Sequence, residues 1–480
     1  LLNFSNGFFG TGAGFDTSIL PPDNNMLKFA LNGNLRQLPM ESVLSGRVTY
    51  SKLTNDVNVL QSMLTTGPVQ GTTGASSGVF SGNVINQSAS LSLASHPLDR
   101  LDTRSYWNWM EKVNKSTPMT FVNAAAGLSA GTGDCGAIPC QADRFSYKKS
   151  NAGVDAGFRL NSSNKISGGF DYTISDRTRT DFIRSIDAKY YGEWKTSLTE
   201  SLDARLKYQY MERRSNFLEG LNSDIVAFIR KFDLANNNQN LIKATFDFSP
   251  AQFLDLGAEA IYKKNNYRDT LLGRQHDDRQ EYYASVSYGD AQKFRVMLFG
   301  DIELTQYDSL HRTCTTAAPA TGDCNPFLPP AGGPPSTSFN WNAKNRDRSY
   351  QVGLGSDWLP TEKWKVNSSL VYAKTNGTAD FAAQAGTISN ATTNLLRPIQ
   401  NFDNTTRVTL NLKGTYKVSK TWDLTGGYAF ERYRLSDIAT DGFFYAINPI
   451  TTQASYYTGG GSSLQNYTAQ MIYAVGTFKF

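Results

Sequence analysis

Apolar and polar side chains alternate with a period of two from one end of the chain to the other, the spacing that sends successive residues to opposite faces of a β-strand. Leu202, Ala204, Leu206, Tyr208 and Tyr210 share one face, and Asp203, Arg205, Lys207 and Gln209 the other. Leu44, Gly46, Val48 and Tyr50 likewise oppose Ser45, Arg47, Thr49 and Ser51, and Ile186, Ala188, Tyr190, Gly192 and Trp194 oppose Asp187, Lys189, Glu193 and Lys195. Late in the chain Val408, Leu410, Leu412, Gly414 and Tyr416 form one apolar face, followed by Trp422, Leu424, Gly426, Tyr428 and Phe430 on the next strand. A soluble sheet has no use for that density of charge on an enclosed face. A strand with hydrocarbon on one side and a wet lumen on the other does, so the pattern predicts an all-β transmembrane barrel of antiparallel, up-and-down strands.

Connection lengths point the same way. Tight turns near Pro39, Leu98, Ser163, Thr199, Pro250, Ala291, Thr361 and Lys420 alternate with long connections over about 10–25, 58–83, 113–143, 174–184, 214–237, 268–277, 307–345, 376–403 and 436–463. Short periplasmic turns and long external loops are the habit of outer-membrane barrels. Eight turns join sixteen strands, and the opening segment Leu1 to Phe9 with the closing strand bring the expectation to about eighteen. Within the 214–237 connection, Ile225, Phe228, Ile229 and Phe232 recur at helical spacing and predict a short amphipathic helix over 223–232.

The closing strand runs to Phe478, Lys479 and Phe480, and a terminal aromatic on such a strand is similar to the signal read by bacterial barrel-assembly machinery. Mean hydropathy is −0.41, and no apolar run approaches the roughly eighteen residues of a membrane helix. Barrel strands are short and half wet, so the low average agrees with the barrel. The 24 Tyr, 28 Phe and 7 Trp suit aromatic girdles at the two interfaces. No linker divides the chain, and residues 1–480 read as one barrel domain. Because the chain opens on Leu1 without an initiator Met or signal peptide, and a barrel must be exported, further strands are expected upstream.

Composition and motifs exclude several functions. A net charge of +5, from 47 basic and 42 acidic residues interleaved along the chain, gives no support for nucleic-acid binding. Only His96, His276 and His311 are present, each in an expected turn or loop without a nucleophile motif, so neither a soluble enzyme nor an outer-membrane hydrolase has an anchor. The segment Gly10 to Gly14 follows no parallel strand and opens no helix, and reads as a surface turn. Cys135 with Cys140, and Cys314 with Cys324, sit pairwise in two long loops and predict two disulfides in an exported protein, with zinc the alternative at the first pair. No Cys-x-x-Cys-His occurs, so no covalently held haem is expected. Arg47, Asp187, Lys189, Glu193, Asp203, Arg205 and Lys207 are the candidate lumen residues, suited either to a solvated pore or to a wet wall around an inserted protein. Their mixed sign disfavours strong ion selectivity.

Several segments, in order, resemble the MtrB/PioB family, the outer-membrane barrels of porin–cytochrome electron conduits. Leu20-Pro-Pro-Asp-Asn24 is followed by a hairpin ending in Gly46-Arg-Val-Thr-Tyr-Ser-Lys-Leu-Thr-Asn55, similar to the family's Pro-x-Asn and Tyr-Ser-x-x-Thr-Gln pattern, with Asn55 in place of Gln. His96-Pro-Leu-Asp-Arg-Leu101 resembles its Arg-Pro-Leu turn, and Arg230-Lys-Phe-Asp-Leu-Ala235 its loop of the same sequence. Tyr267 to Gly273, Arg346 to Gly355 and the closing Phe478-Lys-Phe480 match as well.

The resemblance implies a sheath. The barrel would hold a periplasmic multihaem c-type cytochrome in its lumen, an extracellular multihaem cytochrome would dock on the outer loops, and electrons would cross along haem c carried by those partners. The runner-up is a passive porin or substrate channel, favoured if a long loop folds inward to constrict an empty lumen. The family's characterised barrels have about twenty-six strands, more than expected here, and the cysteine motif at the N-terminus of some members is absent.

Overall fold

The computed structural model describes residues 2–4, 15–17, 25–58, 79–118, 120–121, 140–141, 144–178, 182–217, 232–270, 272–290, 292–311, 341–383, 395–438, 441 and 466–478. Its strands are β1 (Leu2–Phe4), β2 (Phe15–Thr17), β3 (Asn25–Leu38), β4 (Ser42–Asn58), β5 (Val79–Leu98), β6 (Leu101–Asn114), β7 (Thr120–Phe121), β8 (Cys140–Gln141), β9 (Tyr147–Arg159), β10 (Asn164–Arg177) and β11 (Phe182–Thr199). They continue as β12 (Leu202–Phe217), β13 (Asn236–Ala251), β14 (Leu254–Arg268), β15 (Gly273–Asp290), β16 (Phe294–His311), β17 (Trp341–Thr361), β18 (Trp364–Ala383), β19 (Leu395–Ile399), β20 (Asn404–Lys417), β21 (Trp422–Ser436) and β22 (Tyr467–Phe478).

Eighteen of these form one closed antiparallel barrel in chain order, β3 to β6 and then β9 to β22, while β1 with β2 and β7 with β8 make two small separate sheets. The count matches expectation, but its membership differs. The segment Leu1 to Phe9 supplies β1, which pairs with Phe15–Thr17 outside the barrel, and the eighteenth barrel strand is the short β19 against the outer end of β18. Three residues of pairing are too few to compete with the ladders of a full barrel strand. Residues 223–231 of the expected helix lie outside the described residues, and Phe232 begins a turn.

All eight expected tight turns occur, each between strands no more than four residues apart. Register shifts fall beside several of them, at Ser197/Thr199, Phe248/Ala251 and Trp358/Thr361, where an extra residue lets the ladder turn the corner. In the β15–β16 turn Gly289 has φ +118° and a Cβ there would lie 2.1 Å from the Phe294 carbonyl oxygen, so the turn requires glycine. At the opposite end the strands run further than the sequence pattern suggested. The expected 174–184 and 268–277 connections shrink to 178–181 and 269–272, and His276 and His311 lie on strands there, as does His96 beside the β5–β6 tight turn. Hydrophobic alternation stops where both faces become polar, whereas ladder hydrogen bonds continue into water.

The ladders show two unlike faces. On β12, Leu206 pairs with Trp194 of β11 and Ala244 of β13, while Lys207 pairs with Glu193 and Lys243. Followed round the barrel, the apolar face carries large exposed side chains, among them Ile302, Tyr350, Val352, Leu354, Leu370, Tyr372 and Phe246. Aromatics bracket it. On β17 Trp358 and Tyr350 are eight residues apart, as are Trp364 and Tyr372 on β18. At about 3.3 Å per residue and a tilt of about 40° this is about 20 Å of height, close to the apolar band of a barrel in an outer membrane. The aromatic pairs thus mark the two interfaces of the bilayer.

Continuous ladders run from β3 through β9 and β10 to β22. The circuit closes where β22 and β3 are neighbours in the barrel, and nearly every side chain of both strands is exposed.

Candidate functional site

Pairing places the sequence-predicted residues on one face. From Arg47 the partners run Ser90, Asn108, Asn151, Thr173 and Asp187, strand by strand. Lys189 stands opposite Asp171, Glu193 opposite Lys207, and Arg205 and Asp203 opposite Lys195 and Ser197. We assign this face to the lumen, because the opposite face carries the aromatic girdles and has the composition of a lipid contact.

The wall is built from charges that neutralise one another locally. Arg213 grips Asp187 through two hydrogen bonds of 2.7 and 3.2 Å, Lys243 meets Glu259 at 2.7 Å, and Arg205 lies 3.3 Å from Asp247. Glu281 and Glu303 face each other across β15 and β16, and Arg279 bridges them at 2.8 and 2.9 Å. Near the tight-turn end, Asp102 gathers Lys165 at 2.5 Å, His96 at 3.1 Å and Arg159 at 3.8 Å. Such half-exposed pairs contribute little to stability individually. Their effect is a wet wall that, among the described residues, carries charges of both signs.

Two tyrosines that the sequence pattern did not single out organise the centre of this wall. Tyr106 reaches from β6 over β9 to donate to Asp171 on β10 at 2.7 Å, and Tyr191 reaches from β11 over β10 to donate to Asp155 on β9 at 2.6 Å. Each ring needs a residue without a side chain beneath it. A Cβ on Gly153 would lie 2.4 Å from the Tyr106 ring, and one on Gly169 would lie 2.4 Å from the Tyr191 ring. Lys207 sits 4.5 Å above the same Tyr191 ring, and Arg104 donates to Asp155 at 2.9 Å. Two glycines at lumen positions of neighbouring strands were the readable signal. Beside them a recess of about 470 Å³ is lined by Ser88, Asn108, Asn151, Asp171, Thr173 and Lys189, with other residues of the same strands.

The outer rim is also fixed. Leu234 and Ala235 are buried, the Asp233 carbonyl accepts from Arg213 at 2.9 Å, and Arg274 stacks between Phe232 and Tyr307 at 4.3 and 4.0 Å. Phe232 to Ala235, which the sequence singled out, thereby fastens its connection to the lumen wall. Tyr267 donates to Asp277 at 2.6 Å, and Asn265 binds the same carboxylate and the buried Asn237. Beyond β21, Asp441 accepts from the Ser436 hydroxyl, which holds its pKa below the ordinary carboxylate value.

Cys135, Cys314 and Cys324 lie outside the described residues, as does the Cys140 side chain. Among the described residues no group of three or more His, Cys, Asp or Glu is placed to hold a metal.

Residues 2–480 match the family described as "Putative outer membrane beta-barrel porin, MtrB/PioB". The chain is 22% identical over 329 residues to the "Outer membrane protein MtrB" of Shewanella baltica (strain OS185), an alignment covering 68% of this chain and 42% of that relative. The chain therefore spans less than half the length of that relative. Among solved structures, the copper transporter OprC aligns with 96% of this chain and 72% of its own at 11% identity and a TM-score of 0.48. The siderophore receptor PirA from Acinetobacter baumannii aligns with 95% and 71% at 10% identity and 0.44. Likeness at that level carries no argument about function.

Proposed function

Because the chain belongs to the MtrB/PioB family of outer-membrane β-barrels, we propose that it sheathes a multihaem c-type cytochrome and positions it for electron transfer across the outer membrane. The observation that carries this reading is the inner wall, largely polar and bearing charges of both signs, several of them paired with one another. A selective pore favours rings of one charge, whereas a surface gripping a folded protein needs hydrogen-bonding groups of both signs. Hydrocarbon offers no redox relay, and a cytochrome in direct contact with lipid would leave polar groups unsatisfied. A barrel with an apolar exterior and a wet interior meets both conditions. In this reading the chain has no catalytic residue, and haem c belongs to the partners, one in the lumen and a second, extracellular cytochrome on the outer loops. Arg47, Asp187, Lys189, Glu193, Asp203, Arg205 and Lys207 then contribute to the inner contact surface, and the family description keeps a passive porin as the second reading.

The test is purification from native membranes in mild detergent, followed by a haem-stained gel and a visible spectrum. Haem on co-purifying polypeptides, with none on this chain, is the expected result. A colourless, partner-free barrel that conducts ions in a planar bilayer would overturn the sheath in favour of the porin.

A further inference from the structure

Just outside the girdle at the long-loop end, the lipid-facing side of β17, β18 and β21 is strongly basic. On β17 Arg348 lies two residues beyond Tyr350 and Arg346 four. On β18 Lys374 lies two beyond Tyr372, and on β21 Arg432 and Arg434 lie two and four beyond Phe430. Pairing confirms a common face and close spacing. Tyr350 stands opposite Lys374, Arg348 opposite Asn376, Lys374 opposite Thr406, and Thr406 opposite Arg434. Arg348, Lys374, Arg432 and Arg434 are exposed. On this face of these strands Asp380 is the acid among the described residues, and Arg346 engages it at 2.9 Å. No ion pair occupies Arg348, Lys374 or Arg432 among the described residues. Arg346 and Arg348 also line a shallow recess of about 220 Å³ with Gln280, Gln306 and the acids Asp278 and Asp347, so the cations free for a ligand are those on the β18 and β21 side of Arg348.

Two residues along a tilted strand are about 5 Å of height, so these cations stand at the level of headgroups in the outer leaflet. Elsewhere on the same rim no such cluster of cations occurs among the described residues: Lys52 on β4 stands between Leu27 and Ile85, Lys264 on β14 stands between Asn240 and Asp278, Arg268 lies with Glu212 at 2.9 Å, and His276 with Asp308 at 2.6 Å. We propose that Arg348, Lys374 and Arg432 form a binding site for the phosphate groups of lipopolysaccharide, seated against β17 to β21 with its acyl chains on Leu354, Leu370 and Tyr372. Guanidinium groups suit phosphate oxygens, and the aromatics below suit the junction of sugar and acyl chain. The apolar band continues without interruption from the acyl contacts to the cations, which favours a lipid over a soluble anion.

The experiment measures binding of bisphosphorylated lipid A to the purified, folded barrel in neutral detergent, beside dephosphorylated lipid A and phosphatidylglycerol. The triple variant Arg348→Gln, Lys374→Gln, Arg432→Gln should bind lipid A about tenfold more weakly, the sum of three modest exposed ion contacts. A control of equal charge loss at the tight turns, Lys293→Gln, Lys363→Gln, Lys420→Gln, should bind as the unaltered protein does. Equal loss in both variants would show diffuse charge and overturn the site. So would equal affinity of the unaltered protein for dephosphorylated lipid A or for phosphatidylglycerol, a comparison that needs no variant to fold.

Discussion

Gly169→Ala tests whether the tyrosine bridges shape the inner wall. The added Cβ would lie 2.4 Å from Tyr191 Cε1, 2.7 Å from its Cζ and 2.5 Å from Asp155 Oδ1, all inside contact distance. A ring at the end of a side chain can swing away, so the backbone need not break. In moving, however, Tyr191 gives up its 2.6 Å hydrogen bond to Asp155 and its place under Lys207. A crowded substitution and a partly exposed hydrogen bond to a carboxylate together amount to about 1–3 kcal/mol. Gly192, next to Tyr191 on the lipid face, has nothing within 4 Å of its would-be Cβ, and Gly192→Ala should change stability by less than about 0.5 kcal/mol. Urea titrations of folding into lipid vesicles, read by tryptophan fluorescence, give both values. The double variant Gly169→Ala, Tyr191→Leu should be less destabilised than the sum of its parts, since each change removes the same contact. Strict additivity, or equal effects at Gly169 and Gly192, would refute the bridge.

Leu354 lies midway between Trp358 and Tyr350, so Leu354→Arg should cost about 2–4 kcal/mol of folding free energy in vesicles while Arg205→Lys on the polar face changes little; equal folding yields would contradict the facing assignment. We propose that Cys135 pairs with Cys140 and Cys314 with Cys324, so a thiol reagent should label native protein only after reduction, and ready labelling without reductant would rule the disulfides out. Hydrogen exchange should be faster in β3 and β22 than in β17 and β18, because the side chains of the first pair are exposed along almost their full length; equal protection would refute this.

Strand existence, order, turn positions and facing were legible because each rests on a local rule. Period two reports two solvents on either side of a strand, and a tight turn reports an end that need not reach far. Membership of Leu1 to Phe9 in the barrel was not legible. A short apolar run looks the same whether its partner is a full barrel strand or the three residues of Phe15–Thr17. Strand ends at the outer rim were misjudged for a related reason, since Asn236 to Asn240 and Arg274 to Asp278 carry polar residues on both faces while their backbones stay paired.

The bridges at Tyr106 and Tyr191 depend on a relation that no single strand contains. Tyr191 sits on β11, the glycine beneath it on β10 and its acceptor on β9, and only the ladder registers align the three. Tyr106 repeats the device in the opposite direction, from β6 across Gly153 of β9 to Asp171 of β10. Each ring therefore lies along the wall instead of projecting into the bore, held at its hydroxyl by a carboxylate two strands away. The result is a smooth stretch of wall carrying buried ring faces and shielded charges. On the proposed sheath reading, a folded partner needs that even wall where a selective pore needs a constriction, so substitutions at Gly153 and Gly169 should disturb retention of such a partner before they disturb the lipid-facing surface.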